Sequence, residues 1–109
     1  MKHEKSSGNV FRDIGFDAVE AGELATKSDL ISLLKREIDR RGLTQTNAAR
    51  LCGVDQPTLS KIMNGRLDSV TIDRLAKWIV CLGCSIEINV RQPRSRTAVR
   101  KGSMSVRAG

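Results

Sequence analysis

The clearest hydrophobic and polar pattern lies in residues 43–65, LTQTNAARLCGVDQPTLSKIMNG. It predicts two short helices joined by a tight turn. Thr44 caps the first helix, which opens at Gln45. Ala48 and Ala49 are small, as two steeply crossing helices need where their backbones approach. Gly53 follows Leu51 and Cys52 and ends the helix through a positive φ angle. Asp55 caps the second helix, and Pro57 sits in its first turn, where a missing amide proton costs nothing. Leu59, Ile62 and Met63 recur at helical spacing, Val54 anchors the turn, and Asn64 with Gly65 stops the helix. The face left outward reads Gln56, Pro57, Thr58, Ser60, Lys61 and Asn64, with no acid after Asp55. An ordinary helical hairpin accounts for the apolar positions and for Gly53, but not for that outward face.

The same reading extends in both directions. Residues 28–41 form a helix capped by Ser28, with Leu30, Ile31, Leu34 and Ile38 as its buried stripe and Gly42 as its stop. Thr71 caps a last helix over residues 72–82, with Leu75, Trp78, Ile79 and Leu82 on one side and Gly83 at its end. Trp78 falls on the core side of that spacing. The period then changes. In residues 84–90, CSIEINV, Cys84, Ile86, Ile88 and Val90 alternate with polar positions, a strand pattern. No second strand is convincing elsewhere, and a lone strand leaves both backbone edges unpaired. Antiparallel pairing with the same strand of a second copy, through Ile86, Ile88 and Val90, is the simplest remedy. A symmetric homodimer then presents two reading helices to a palindromic site with half-sites about 34 Å apart, or a multiple of that.

Outside this body the pattern weakens. Residues 1–8 are polar. Residues 9–16, NVFRDIGF, hold both phenylalanines, and residues 17–27 carry only a poor helical stripe that allows a short helix. Val10, Phe11 and Phe16 are either a lid folded back on the helical core or a docking segment for a protein partner. The chain thus divides into an N-terminal arm over residues 1–27, a DNA-binding domain with its dimerising strand over 28–90, and a basic tail without periodicity over 91–109. The fold class expected is mainly α: a small helical bundle containing a helix-turn-helix, with one C-terminal β-strand.

Charge sharpens the division. The net charge is +7, but the last 19 residues hold six of the 19 cations (Arg91, Arg94, Arg96, Arg100, Lys101, Arg107) and none of the 12 acids. Such a tail is disordered when free, and either tracks DNA phosphates in a salt-sensitive way or merely solubilises the chain. Residues 40–66 carry five cations against Asp55 alone, a local excess where DNA would lie. No run is apolar enough to span a membrane and nothing at the start reads as a signal peptide, so a cytoplasmic protein is expected. Cys52, Cys81 and Cys84 suit a reducing compartment. Cys81 and Cys84 form a CxxC, but a zinc site wants two further ligands, and the one histidine is His3. Cys52 and Cys81 therefore read as small core hydrophobes, and no metal or cofactor is expected. With no tyrosine, one histidine and no Gly-rich phosphate loop, the residues offer no catalytic set.

The hairpin resembles, position by position, the helix-turn-helix of phage-repressor-like (XRE-type) regulators. Gln45 stands at its start, Ala49 is small, Gly53 lies in the turn with Val54 after it, and Leu59 and Ile62 are buried. The resemblance implies that Gln56, Pro57 and Lys61 face base edges, with Thr58 and Ser60 beside them. It implies that Gln45, Asn64 and Arg66 contact phosphates or hold the reading side chains. Pro57 replaces the commoner polar residue there, which removes one hydrogen-bonding reader. With NVFRDIGF, the LTQ and DQP pairs, CLG after the last helix and the trailing IEINV, the chain resembles the HigA-like antitoxin branch over residues 9–90. That likeness implies a repressor of its own operon, partnered by a small basic RNA-cleaving toxin. A stand-alone regulator without a toxin would use the same residues.

Overall fold

The computed structural model describes residues 9–15, 17–94 and 101–109. His3 and Phe16 lie outside them. Five helices follow in order: α1 (Val10–Asp13), α2 (Ala18–Arg40), α3 (Gln45–Cys52), α4 (Gln56–Met63) and α5 (Ile72–Cys81), with one 3-10 turn (Leu67–Ser69) before α5.

Local chemistry sets the helix boundaries. Thr44 Oγ1 accepts from the Asn47 amide at 3.1 Å, Asp55 Oδ1 from the Thr58 amide at 2.8 Å, and Thr71 Oγ1 from the Arg74 amide at 3.3 Å. Each cap satisfies one of the amides that a helix start leaves unpaired. At the other ends, amides five residues on close back over the last turn: Leu43 onto Ile38 O, Val54 onto Ala49 O, Arg66 onto Lys61 O and Cys84 onto Ile79 O.

Ser28 is not a cap. It lies inside α2, which starts at Ala18 and is capped by Asp17, whose Oδ1 accepts from the Glu20 amide at 2.8 Å. The weakly patterned residues 18–27 are the first turns of one long helix. Their stripe is faint because Ala21, Gly22 and Thr26 are buried against α1 and the carboxyl-terminal segment rather than against the main core.

The core forms where α2, α3, α4 and α5 converge. Leu34, Leu59 and Leu75 are wholly buried, Trp78 is buried as its spacing requires, and Cys52 joins them. Cys81 is exposed, against its expected place in the core, because it lies on the outer side of the last turn of α5. Arg41 Nη1 donates to Leu82 O, and Lys27 Nζ donates to Leu67 O at 3.0 Å, so α2 is tied to the chain on either side of α5.

Two further expectations are corrected. The described residues contain no strand: residues 84–90 have no regular secondary structure, and Ile88 and Val90 are 84% and 85% exposed. A strand exists only within a ladder, and nothing among the described residues offers residues 84–90 an edge to pair with. The tail is also not wholly free. Residues 101–109, though irregular, lie along α2, where Thr26 Oγ1 donates to Met104 O at 3.5 Å and Val106 packs against the core.

Candidate nucleic-acid interface

Helices α3 and α4 meet at a turn set by Gly53, at φ 71° and ψ 33°. Ala48 and Ala49 are almost fully buried where the two helices face each other, which small side chains allow. The apolar side of α4, made by Leu59, Ile62 and Met63, is sealed against the bundle. A rotation of about 100° per residue then turns Pro57, Lys61 and Asn64 outward, with Gln56, Thr58 and Ser60 on the flanks. Their burial agrees: the first three are exposed, the last three half-buried.

One contact joins the two helices on this outer surface. Gln56 Nε2 donates to Gln45 Oε1 at 2.8 Å. The starts of α3 and α4 are therefore side by side, and the reading candidate Gln56 is held by the backbone candidate Gln45. Asn64 and Arg66 are exposed at the far end of α4. Thr58 is differently occupied. Its hydroxyl hydrogen bond is the largest cause of Asp55's carboxyl lying below its ordinary value, and its amide is the next. The Asp55-x-x-Thr58 spacing signals such a cap in the sequence, and Thr58 also stands among the residues expected to border the bases.

Of the five cations in residues 40–66, Arg40 is paired with Glu37 at 2.7 Å and Arg41 is committed to Leu82 O. Arg50 Nη1 donates to Asn47 Oδ1 at 3.2 Å. Lys61 and Arg66 are exposed on or beside α4. The structure adds a cation from outside that stretch: Lys35 of α2 borders a shallow depression with Ser28, Ser32, Asn64 and Gly65. Nothing in the pattern singles out Lys35, since it is simply a polar position on an amphipathic helix, brought to Asn64 by tertiary packing.

At the other end of the molecule, α1 packs on the first turns of α2. Asn9 Nδ2 donates to Ala21 O at 3.0 Å, and Asn9 Oδ1 accepts from the Phe11 amide at 2.9 Å. Val10 is 62% exposed and Phe11 half-buried, and neither joins the main core cluster. Ile86, Ile88 and Val90 are all exposed. Among the described residues no group of three or more His, Cys, Asp or Glu side chains gathers to hold a metal ion. No helix among them is long and apolar enough to cross a membrane.

Comparison with known proteins agrees with this geometry. A family model described as a helix-turn-helix domain matches residues 10–91. A candidate antitoxin HigA2 from Mycobacterium tuberculosis is 28% identical over 84 residues, spanning 76% of this chain and 83% of that protein. A solved structure of a candidate XRE family transcriptional regulator superimposes with a TM-score of 0.65 at 35% identity, over 80% of this chain and 99% of that one.

Proposed function

The chain belongs to the helix-turn-helix domain family and is a DNA-binding transcription regulator of the XRE type; from that premise we propose that it is the antitoxin of a toxin–antitoxin pair, repressing its own operon as a homodimer. The observation that carries the DNA-reading part is the Gln56–Gln45 hydrogen bond on an outward face shared with Lys61 and Asn64. Gln56 pairs bidentately with adenine, Lys61 donates to guanine, and the Pro57 ring touches a thymine methyl. Ser60 and the flank of Thr58 border the same bases. Gln45, Asn64 and Arg66, with Lys35 beside them, fix the register through phosphates.

Dimerisation is supported by the alternating apolar side chains Ile86, Ile88 and Val90, which a lone chain leaves in solvent. Burying these side chains against their copies across a two-fold axis would set two copies of α4 on a palindromic operator. The antitoxin reading is supported by the likeness to the candidate antitoxin HigA2 and by the exposed Val10 and Ile14 of the arm, an apolar surface for a small basic toxin.

Footprinting on the DNA upstream of the chain's own gene, with co-purification from its native host, tests both parts. A symmetric protected site and a small basic protein recovered with the chain support the proposal. A footprint without such a partner leaves a stand-alone regulator, and the absence of any footprint overturns self-repression.

A further inference from the structure

Buried residues of α2 fall on two sides of the helix. Leu30, Ile31 and Leu34 face the helical core. Gly22, Thr26, Asp29, Leu33 and Arg36 recur at three- and four-residue spacing and form a second stripe, turned well away from the first. Solvent would be expected there, yet Thr26 is only 3% exposed and Gly22 is buried.

Residues 101–109 cover its Gly22 and Thr26 end, while Asp29 and Arg36 stay exposed. The Met104 amide nitrogen stands 3.7 Å from where a Cβ on Gly22 would lie, and Met104 O accepts from Thr26 Oγ1 at 3.5 Å. Val106 and Ala108 border a groove with Asp29, Ser32, Leu33 and Arg36. Lys101 acts on the other end: its charge contributes to lowering the carboxyl of Asp17, whose main cause is the capping bond from Glu20. The segment thus runs parallel to α2. Its extended span from residue 101 to 108, about 24 Å, matches the roughly 28 Å of helix from residue 17 to 36.

We propose that this outer stripe of α2 is a binding groove for an extended peptide, and that the chain's own residues 101–109 are its resident occupant. The groove selects for backbone approach rather than side-chain bulk. Gly22 and Ser32 keep its floor low, Thr26 offers one hydroxyl to a carbonyl, and Leu33 meets one aliphatic side chain, Val106. The grip is slight, because that hydrogen bond is long and Met104 remains 50% exposed. Occupancy depends on the covalent tether, which holds the segment at an effective concentration in the millimolar range. A partner reaching this face of α2 must first displace the strap.

The test uses the full chain, isotope-labelled, in NMR. Two variants attack the contact from opposite sides: Gly22→Leu, which fills the groove while favouring the helix, and Val106→Asp, which places a charge on the strap. In the wild type, NOEs connect Met104 with Thr26 and Gly22. Both variants lose them, residues 101–109 move to the same random-coil shifts, and the amides of α3 and α4 stay in place. Unshifted α3 and α4 amides show that the variant remains folded, so loss of the strap is not laid to unfolding. Random-coil shifts for residues 101–109 in the wild type, or NOEs unchanged in Gly22→Leu, would overturn the proposal. So would NOEs seen only between differently labelled chains, which would make a second copy the occupant.

Discussion

The bond between Gln45 and Gln56 allows a double-mutant cycle on DNA affinity. On the proposed reading, Gln56→Ala removes a bidentate base contact and should cost about 1–3 kcal/mol on the preferred sequence, or roughly five- to 160-fold in Kd. Gln45→Ala leaves that contact chemically available but unheld. The lost bond, 2.8 Å between two neutral amides at the surface, is worth about 0.5–1.5 kcal/mol net, or roughly two- to 12-fold. If Gln45 acts through Gln56, the two losses do not add: the double variant binds nearly as well as Gln56→Ala, with a coupling energy of about 0.5–1.5 kcal/mol. Any residual cost of Gln45→Ala in the Gln56→Ala background measures its own phosphate contact, and is the same on every sequence. Fluorescence anisotropy on the preferred duplex at one fixed salt concentration reads all four corners. Losses that add to within about 0.3 kcal/mol would refute the positioning role.

Other outcomes follow from the same geometry. Gly53→Ala should lower stability in urea by about 1–2 kcal/mol through backbone strain alone, because no atom lies within 4 Å of the added Cβ and φ is +71°; Gly53→Asn should recover part of the loss, and equal losses for both would contradict this. The cap carboxyls of Asp17 and Asp55 and the first-turn carboxyl of Asp73 lie below their ordinary value of 3.8, the first through the Glu20 amide, the others through the Thr58 and Thr71 hydroxyls. Their contribution is present above 3.8 and lost as pH falls through the lowered folded values. The thermal midpoint should therefore fall in acid, and Asp55→Asn, which still caps, should flatten part of that fall. Burial, and secondarily the Cys81 charge, pushes the Cys52 thiol up to about 11, while Cys81 is exposed. Iodoacetamide at pH 8 should mark Cys81 in the folded protein and reach Cys52 only after denaturation; Cys52 reacting first would contradict the packing.

What the sequence reveals here is mostly what is local. Thr44, Asp55 and Thr71 cap residues three positions on, so side chain and backbone group lie within one turn of sequence. Trp78 declares its burial by its spacing from Leu75 and Leu82. Asp17 as the start of α2 is hidden, because the turns that follow bury Ala, Gly and Thr against peripheral segments, and such contacts need no apolar stripe. The strand pattern of residues 84–90 is real as alternation, but alternation does not supply a partner edge. The proximity of Gln45 to Gln56, of Lys35 to Asn64, and of Met104 to Thr26 arises from folding across 11, 29 and 78 positions. No period in the chain encodes such pairs.

The most direct test of the account is selection of duplexes with randomised centres by the full chain, followed by Kd values on the recovered sequence and on scrambled DNA at one salt concentration. The account predicts a two-fold symmetric consensus bound at least about 10³-fold more tightly than scrambled DNA, with that preference relaxed at one base pair per half-site in Gln56→Ala. Equal affinity for every duplex, or a preference untouched by Gln56→Ala, would contradict it.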